Sequence, residues 1–222
     1  MKQLPIYETF YTWQGEGCHM GKPAFFIRLF GCPVHCPWCD SAGTWHPDHI
    51  PKHIDKISTD ELVSEALLND PGIVVITGGE PCIHDLTELT TALQSAGLKV
   101  HLETSGAFPI RGTFDWITLS PKIWKKPLNE CLSKADEFKL IVDSTSAINV
   151  WENEIAQFWE DKPIWLHPEW SLSKDPEILS LINSRVKESA YGYRAGYQLH
   201  KLYQVDEEDS RSQPTIELPQ GT

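Results

Sequence analysis

The sequence predicts an α/β domain built from parallel βα units, on three observations. Short apolar runs rich in Val, Ile and Leu alternate with stretches of helical period, the pattern of a parallel sheet covered by helices. About six such strands can be counted, fewer than the eight of a closed TIM barrel, so an open doubly wound sheet and a partial barrel both fit. The unusual residues (clustered cysteines, paired glycines, Ser-Pro and His-Pro steps) follow the strand ends, where parallel α/β folds place their ligands.

The elements follow in order. Residues 24–30, Ala-Phe-Phe-Ile-Arg-Leu-Phe, form the first strand, and a loop rich in Pro and His runs from Cys32 to about Ile57. Ser58 opens a helix, with Glu61 three residues on as a capping box and Leu62, Ala66 and Leu67 as its apolar face. Gly72 is expected to end it before a buried strand at 73–77. Asp85 with Glu88 is expected to cap the next helix, which carries Leu86, Leu89 and Leu93 and is closed by Gly97. Further strands are expected at 100–104, 116–120, 138–142 and 164–167, and helices at 147–158 and 176–186. The segment 206–222 is acidic, rich in Ser and Pro and aperiodic, so it reads as a loop or mobile terminus. No linker divides the chain. The expected plan is one core domain over residues 1–205 and a C-terminal tail over 206–222.

Composition excludes several classes. Of 222 residues, 31 are acidic and 19 basic, a formal charge of −12, which argues against binding a nucleic-acid backbone. No apolar run approaches the length of a spanning helix, and the first residues lack a signal-peptide core. A cytoplasmic enzyme is the expectation.

Six cysteines are present, Cys18, Cys32, Cys36, Cys39, Cys82 and Cys131, three of them within eight residues. In a reducing compartment such a cluster holds a metal more often than it forms disulfides. A structural zinc site wants four ligands, which His35, His46, His49 or His53 could complete. A ferredoxin-type cluster wants four thiolates. The three of Cys32-x3-Cys36-x2-Cys39 suit a [4Fe–4S] cluster with one iron open to a small molecule.

That spacing, with Trp38 before the last cysteine, resembles the signature of radical S-adenosylmethionine enzymes. Gly78-Gly79-Glu80-Pro81, one βα unit later, resembles the motif with which they meet the methionine amino group. The resemblance implies a partial (β/α)6 TIM-like barrel of the radical SAM type. It narrows on Trp13-Gln14-Gly15-Glu16-Gly17, Arg28, Cys39-Asp40-Ser41, Thr77, Glu103-Thr104-Ser105-Gly106 and Ser120-Pro121-Lys122. Over about residues 5 to 201 this set is similar to the 7-carboxy-7-deazaguanine synthase family of queuosine biosynthesis. Membership implies a lyase that converts 6-carboxy-5,6,7,8-tetrahydropterin to 7-carboxy-7-deazaguanine with release of ammonia. Hydrogen abstraction and a Mg²⁺-assisted ring contraction are implied with it. So are a flavodoxin or ferredoxin as electron donor, a homodimer, and no direct contact with nucleic acid.

The resemblance also implies the site. Cys32, Cys36 and Cys39 would hold the cluster. Trp38, Cys39, Asp40, Gly79, Glu80, Ser105, Ser120, Pro121 and Lys122 would line the S-adenosylmethionine. Trp13, Gln14, Gly15, Glu16, Arg28 and Thr77 would hold the pterin, Glu16 and Arg28 being central to catalysis, and Ser41 would ligate Mg²⁺. The residues themselves allow plainer alternatives. Arg28, in an otherwise buried strand, either offers a bidentate fork to a substrate carboxylate or pairs with a structural acid. Gln14 and Glu16 either accept from pterin N–H groups or form a polar turn, and Ser41 is equally a turn residue. Magnesium takes hard oxygen ligands, so a hydroxyl is suitable.

The remaining unusual residues are expected to do less. Cys18, Cys82 and Cys131 are structural, and His46, His49 and His53 decorate a loop. Trp13, Trp38 and Trp45 would exclude water, whereas Trp116, Trp151, Trp159 and Trp165 serve the core or an interface. Two departures from the family stand out. His167 occupies a place where relatives often carry Gln, and an adenine or ribose contact is its expected use. Gln198-Leu199-His200-Lys201 resembles a run after which relatives soon end, some using the terminal carboxylate on the pterin. Here the chain runs on to Thr222, so another group must replace it, with Asp209 and Arg211 as candidates. Competing readings are a glycyl-radical-enzyme activase and a non-catalytic iron–sulfur or zinc protein.

Overall fold

Every strand expected from an apolar run forms. The computed structural model describes residues 3–205, 209–213 and 215–218. Its six central strands are β2 (Pro23–Leu29), β4 (Ile73–Gly78), β5 (Val100–Thr104), β6 (Trp116–Leu119), β7 (Glu137–Val142) and β8 (Ile164–Pro168), all parallel. Three more complete the sheet: β1 (Gln3–Trp13), β3 (Asp55–Ser58) and β9 (Arg194–Ala195). The order is β3-β1-β2-β4-β5-β6-β7-β8-β9. The six parallel strands constitute the partial (β/α)6 barrel of the radical SAM type.

The three added strands escaped sequence reading for local reasons. β1 pairs antiparallel with β2, but a register shift between Ile6 and Glu8, with Pro5 just before, breaks its alternation. β3 is four residues long and partly exposed, and β9 is two residues long. Neither carries a period long enough to read.

Helices α1 (Thr59–Leu68), α2 (Thr87–Ser95), α3 (Asn129–Lys134), α4 (Ala147–Ile155) and α5 (Pro176–Glu188) pack outside the sheet, and α6 (Leu199–Tyr203) follows β9. Ser58 caps α1 and Glu61 returns the bond, as the capping box requires. α1 ends at Asn69, short of Gly72. The expected Asp85–Glu88 cap gives way to a different start. Leu86, buried, is the N-cap of α2, and Asp85 closes a turn by accepting from the Thr87 N–H and hydroxyl. Gly97, at φ +84°, ends that helix in the left-handed conformation. No α-helix joins β5 to β6, so the third crossover is irregular.

Strand alternation divides the sheet into two environments. Phe25, Ile27 and Leu29 of β2, Val74 and Ile76 of β4, and Phe138 and Leu140 of β7 join the core under the helices, with Leu62, Leu89, Leu93 and Ile148. The intervening residues face the concave interior. There Phe10 stacks on Phe26 at 5.0 Å between centroids, beside Ile73 and Val75. Towards the strand C-termini the same inner rows present Arg28, Thr77, Glu103 and Lys139. Among the described residues no helix is long and apolar enough to cross a membrane.

The described part of the tail is irregular, as expected, yet it is fastened along the body. Tyr11 N–H donates to Asp209 (2.8 Å), Ala42 N–H to the Ile216 carbonyl (3.2 Å), and Leu218 N–H to the Cys39 carbonyl (3.1 Å).

Candidate active site

A cavity of about 510 Å³ opens at the C-terminal ends of the parallel strands, where such folds bind ligands. Of the site residues expected from the sequence, all line it except Pro121, His167 and the two tail candidates Asp209 and Arg211. Pro121 belongs to an adjoining hollow of about 440 Å³, shared by Trp38 and Lys122 and rimmed by the half-exposed Trp124.

Cys32, Cys36 and Cys39 stand on the loop after β2, and none forms a disulfide. Burial pushes their thiols up, Cys36 to about 12 and Cys39 to about 11. Neighbouring anions add to this, Cys39 and Cys32 acting on Cys36, and Asp40 and Cys32 on Cys39. Thiols held neutral in this way ionise when a metal cluster supplies positive charge, and three on one loop offer it a sulfur donor set. Gly79 closes against the same loop: a Cβ there would lie 2.6 Å from Cys32 Cβ and 2.5 Å from the Gly31 carbonyl. Only glycine permits the second strand end to sit on the cysteine turn. This donor set and cradle fit a [4Fe–4S] cluster with an adjoining S-adenosylmethionine.

The histidines of the loop are packed as side chains of other rings. His35 stacks on Trp45 at 4.3 Å, His46 lies against Trp45 and His49, and the exposed His53 pairs with Asp55. Trp13 and Trp38 line the cavity, whereas Trp45 stacks on His35 and reaches Cys39 from behind the lining. Cys82 and Cys131 are fully buried in the main core. Cys18 receives a long contact from Arg194.

On the cofactor side, the buried Glu80 brackets two strands. Its carboxylate accepts from Cys82 N–H (3.0 Å), Thr104 Oγ1 (2.6 Å), Ser105 N–H (2.9 Å) and the Ser105 hydroxyl. It therefore fixes the β5 end relative to the Gly-Gly turn. Lys122 Nζ donates to the Ser120 carbonyl and hydroxyl (2.7 and 2.6 Å) and lies 5.6 Å from the Trp38 ring centroid. Burial lowers its pKa.

On the opposite side, Arg28 pairs with an acid, as its plainer reading expects, and also lines the cavity. Its Nε pairs with Glu8 Oε1 at 2.6 Å, its cross-strand neighbour on β1, and Nη1 reaches Ser41 Oγ at 3.3 Å. Glu8 thus aims the guanidinium at the cavity and the Ser41 turn. Gln14 is engaged at both ends: Nε2 donates to Glu103 (2.8 Å) and Oε1 accepts from Glu16 N–H (3.1 Å). Glu16 forms an ion pair with Lys139. Burial opposes its ionisation, but the Lys139 ammonium outweighs this and holds the carboxyl well below the usual range. Burial likewise opposes the charge on Lys139, and the Glu16 and Glu103 carboxylates hold it well above the lysine range.

Several cavity residues were quoted from the sequence without a role, or not at all. Glu103 and Lys139 each stand as a charged residue on the inner row of an otherwise apolar strand, which was the available signal. Gln198, His200 and Lys201 arrive on α6, whose Leu199 N–H donates to the Gly15 carbonyl (3.3 Å). A Cβ at Gly15 would collide with His200 at 2.4 Å, so this docking needs glycine. Asp40 accepts from Gln198 (3.2 Å) and Lys201 (3.3 Å). The tail supplies Thr215, Glu217 and Leu218. Asp209 and Arg211 instead pair with each other at 2.6 Å, outside the lining of the cavity. His167 also stands apart. It is fully buried beneath Gly196, and neither ring nitrogen has a hydrogen-bond partner among the described residues. Burial lowers its pKa to about 4.

A partial parallel barrel whose rim joins a three-cysteine loop to a Gly-Gly-Glu-Pro turn defines a radical S-adenosylmethionine enzyme. No general family model matches the chain. It is 48% identical over 202 residues to the 7-carboxy-7-deazaguanine synthase of Synechocystis, covering 90% of this chain and 93% of that one. To its Escherichia coli namesake the identity is 36% over 226 residues, covering 91% and 99%. The crystal structure of QueE from Escherichia coli superposes with a TM-score of 0.76 at 35% identity, covering 89% of this chain and 95% of that one. The chain belongs to the 7-carboxy-7-deazaguanine synthase family.

Proposed function

We propose that this chain converts 6-carboxy-5,6,7,8-tetrahydropterin to 7-carboxy-7-deazaguanine with release of ammonia. The observation that carries the reading is one cavity with two chemically distinct walls. One wall bears the three thiols and the Gly-Gly turn. The other bears Arg28, Gln14, Glu16 and Glu103. A carboxypterin has complementary ends, a carboxylate for the Arg28 guanidinium and an N–H-rich edge for carboxylate acceptors.

When bound, the [4Fe–4S] cluster and S-adenosylmethionine supply one-electron cleavage and the hydrogen-abstracting radical. The chain's residues bind and orient. Cys32, Cys36 and Cys39 hold the cluster; Trp38, Gly79, Glu80, Ser105, Ser120 and Lys122 surround the cofactor. Lys139 keeps Glu16 ionised and therefore acceptor-only, a state suited to donors on a guanine-like ring. Gln14 sets the spacing of Glu16 and Glu103. Ser41 offers a hydroxyl for Mg²⁺ beside the substrate carboxylate, while Trp13 and Trp38 exclude water from the reacting centre.

The finer features belong to the same proposal: a cytoplasmic homodimer reduced by a flavodoxin or ferredoxin, with a core over residues 1–205 and a tail over 206–222. The test is anaerobic reconstitution followed by incubation with reductant, S-adenosylmethionine, Mg²⁺ and carboxypterin. A deazaguanine carboxylate identified by mass is expected. Its absence with an intact cluster would overturn the assignment.

A further inference from the structure

The tail beyond α6 runs past three groups that the proposed chemistry uses. Leu218 N–H donates to the Cys39 carbonyl at 3.1 Å and Ala42 N–H donates to the Ile216 carbonyl at 3.2 Å. These two main-chain bonds bracket Ser41, which pairs with Ile216 as an isolated parallel β-bridge. Upstream, Gln213 N–H donates to Glu8, the carboxylate that also holds Arg28. Between these points, Glu217 takes Lys201 Nζ at 2.6 Å while Asp40 takes it at 3.3 Å. Thr215, Glu217 and Leu218 form part of the cavity wall.

The turn so held has little regular structure of its own. From Cys32 to Asp40 the chain has neither helix nor strand, and the Cys39 N–H to Cys36 carbonyl contact, 3.2 Å, is one of few local bonds. An irregular loop costs conformational entropy to fix, and each added backbone bond reduces what binding must supply. The tail contacts also converge on both walls, the cysteine turn on one side and the Arg28–Glu8 pair on the other.

We propose that Gln213 and residues 215–218 are a positioning strap of the reaction chamber. The strap fastens the Cys39–Ala42 turn through its backbone, and it completes the substrate wall through Glu217, which holds Lys201 against Asp40. The substrate half of this inference rests on the carboxypterin reading, and the fastening half does not.

The test compares the full-length holoenzyme with a chain ending at residue 208 and with the variants L218P and E217Q. Two quantities are measured: the rate at which a chelator strips iron, and the dissociation constant of carboxypterin by equilibrium dialysis. Shortening is expected to speed iron loss several-fold and to weaken carboxypterin binding about tenfold. L218P, which deletes the N–H that donates to the Cys39 carbonyl, should reproduce the faster iron loss. E217Q should reproduce the weaker binding with iron loss unchanged. A shortened chain matching the full-length protein in both quantities would overturn the strap. If the shortened chain fails to fold, L218P with an unchanged melting temperature decides: unaltered iron loss overturns the fastening, and faster loss supports it. A full-length holoenzyme that does not bind carboxypterin would defeat the functional reading and the substrate half with it, leaving the iron-release comparison to judge the fastening.

Discussion

Arg28 joins a structural ion pair to a place in the cavity wall. Glu8 fixes its Nε across the β1–β2 ladder, so the guanidinium is pre-aimed and loses little freedom when a carboxylate arrives. Replacing Arg28 with Ala is expected to raise the KM for carboxypterin about a hundredfold, and Arg28→Lys should recover only part of this, because a point charge cannot reproduce the fork. Steady-state kinetics and direct binding check both. The Glu16–Lys139 pair is different in kind, Glu16 being buried at 7% exposure and Lys139 largely so. Lys139→Met leaves a buried carboxylate without its cation, a loss of about 3–5 kcal/mol. Adding Glu16→Gln to that variant should return much of the stability without returning activity, a non-additivity that urea denaturation of the single and double variants would reveal. Sequence reading found Arg28 and Glu16 because a family resemblance pointed to them. It passed over Lys139 and quoted Glu103 without giving it a role, because a lone charge in an apolar strand has no partner until distant strands are brought together.

At the scale of the element, local chemistry was read well where its signal was complete within a few residues. The Ser58–Glu61 box forms as spacing predicts, and Ser58→Ala is expected to lower stability by about 1 kcal/mol with catalysis unchanged. Thermal melts and turnover measured together test this. The Asp85–Glu88 pair has the same spacing and a different outcome, since the helix starts one residue later, with the buried Leu86 as its N-cap. Glycine at 79 is decided by a partner far away in sequence. Gly79→Ala would drive a methyl into the Gly31 carbonyl and Cys32 Cβ. It is expected to yield folded protein with reduced iron content and S-adenosylmethionine affinity weakened at least tenfold. Normal iron loading in that variant would contradict the close packing of the two turns. β1 and the short helix α6 lacked readable periods, yet the first leads into Gln14 and Glu16 and the second carries His200 and Lys201.

The whole molecule has a built-in sensitivity to acid. Burial lowers the pKa of His167 and of His101 to about 4, so both stay neutral in the fold at neutral pH. The unfolded chain takes up protons near 6.5, above the folded values, so stability falls as pH drops from about 6.5 towards 4. Each histidine contributes on the order of 2 kcal/mol across the span from pH 7.5 to 5. Urea midpoints at those two pH values should show the drop, and His101→Phe should flatten it; an equal drop in that variant would refute the assignment. Below this window the depressed Glu16 and Glu137 carboxyls extend the same trend, because their stabilisation is lost as pH falls through their folded values.

By itself the sequence determined the class of fold, the six parallel strands, the cysteine loop and about half of the residues that line the cavity. Those features are written in short-range periods and in motifs whose spacing is the chemistry. The tertiary structure alone decided what those residues touch. It paired Arg28 with Glu8, Glu16 with Lys139 and Gln14 with Glu103, joining residues up to 123 positions apart. It withdrew His167 from the cavity by closing Gly196 over it. It also laid the acidic, aperiodic tail across the cysteine turn, through main-chain bonds that no side-chain pattern encodes.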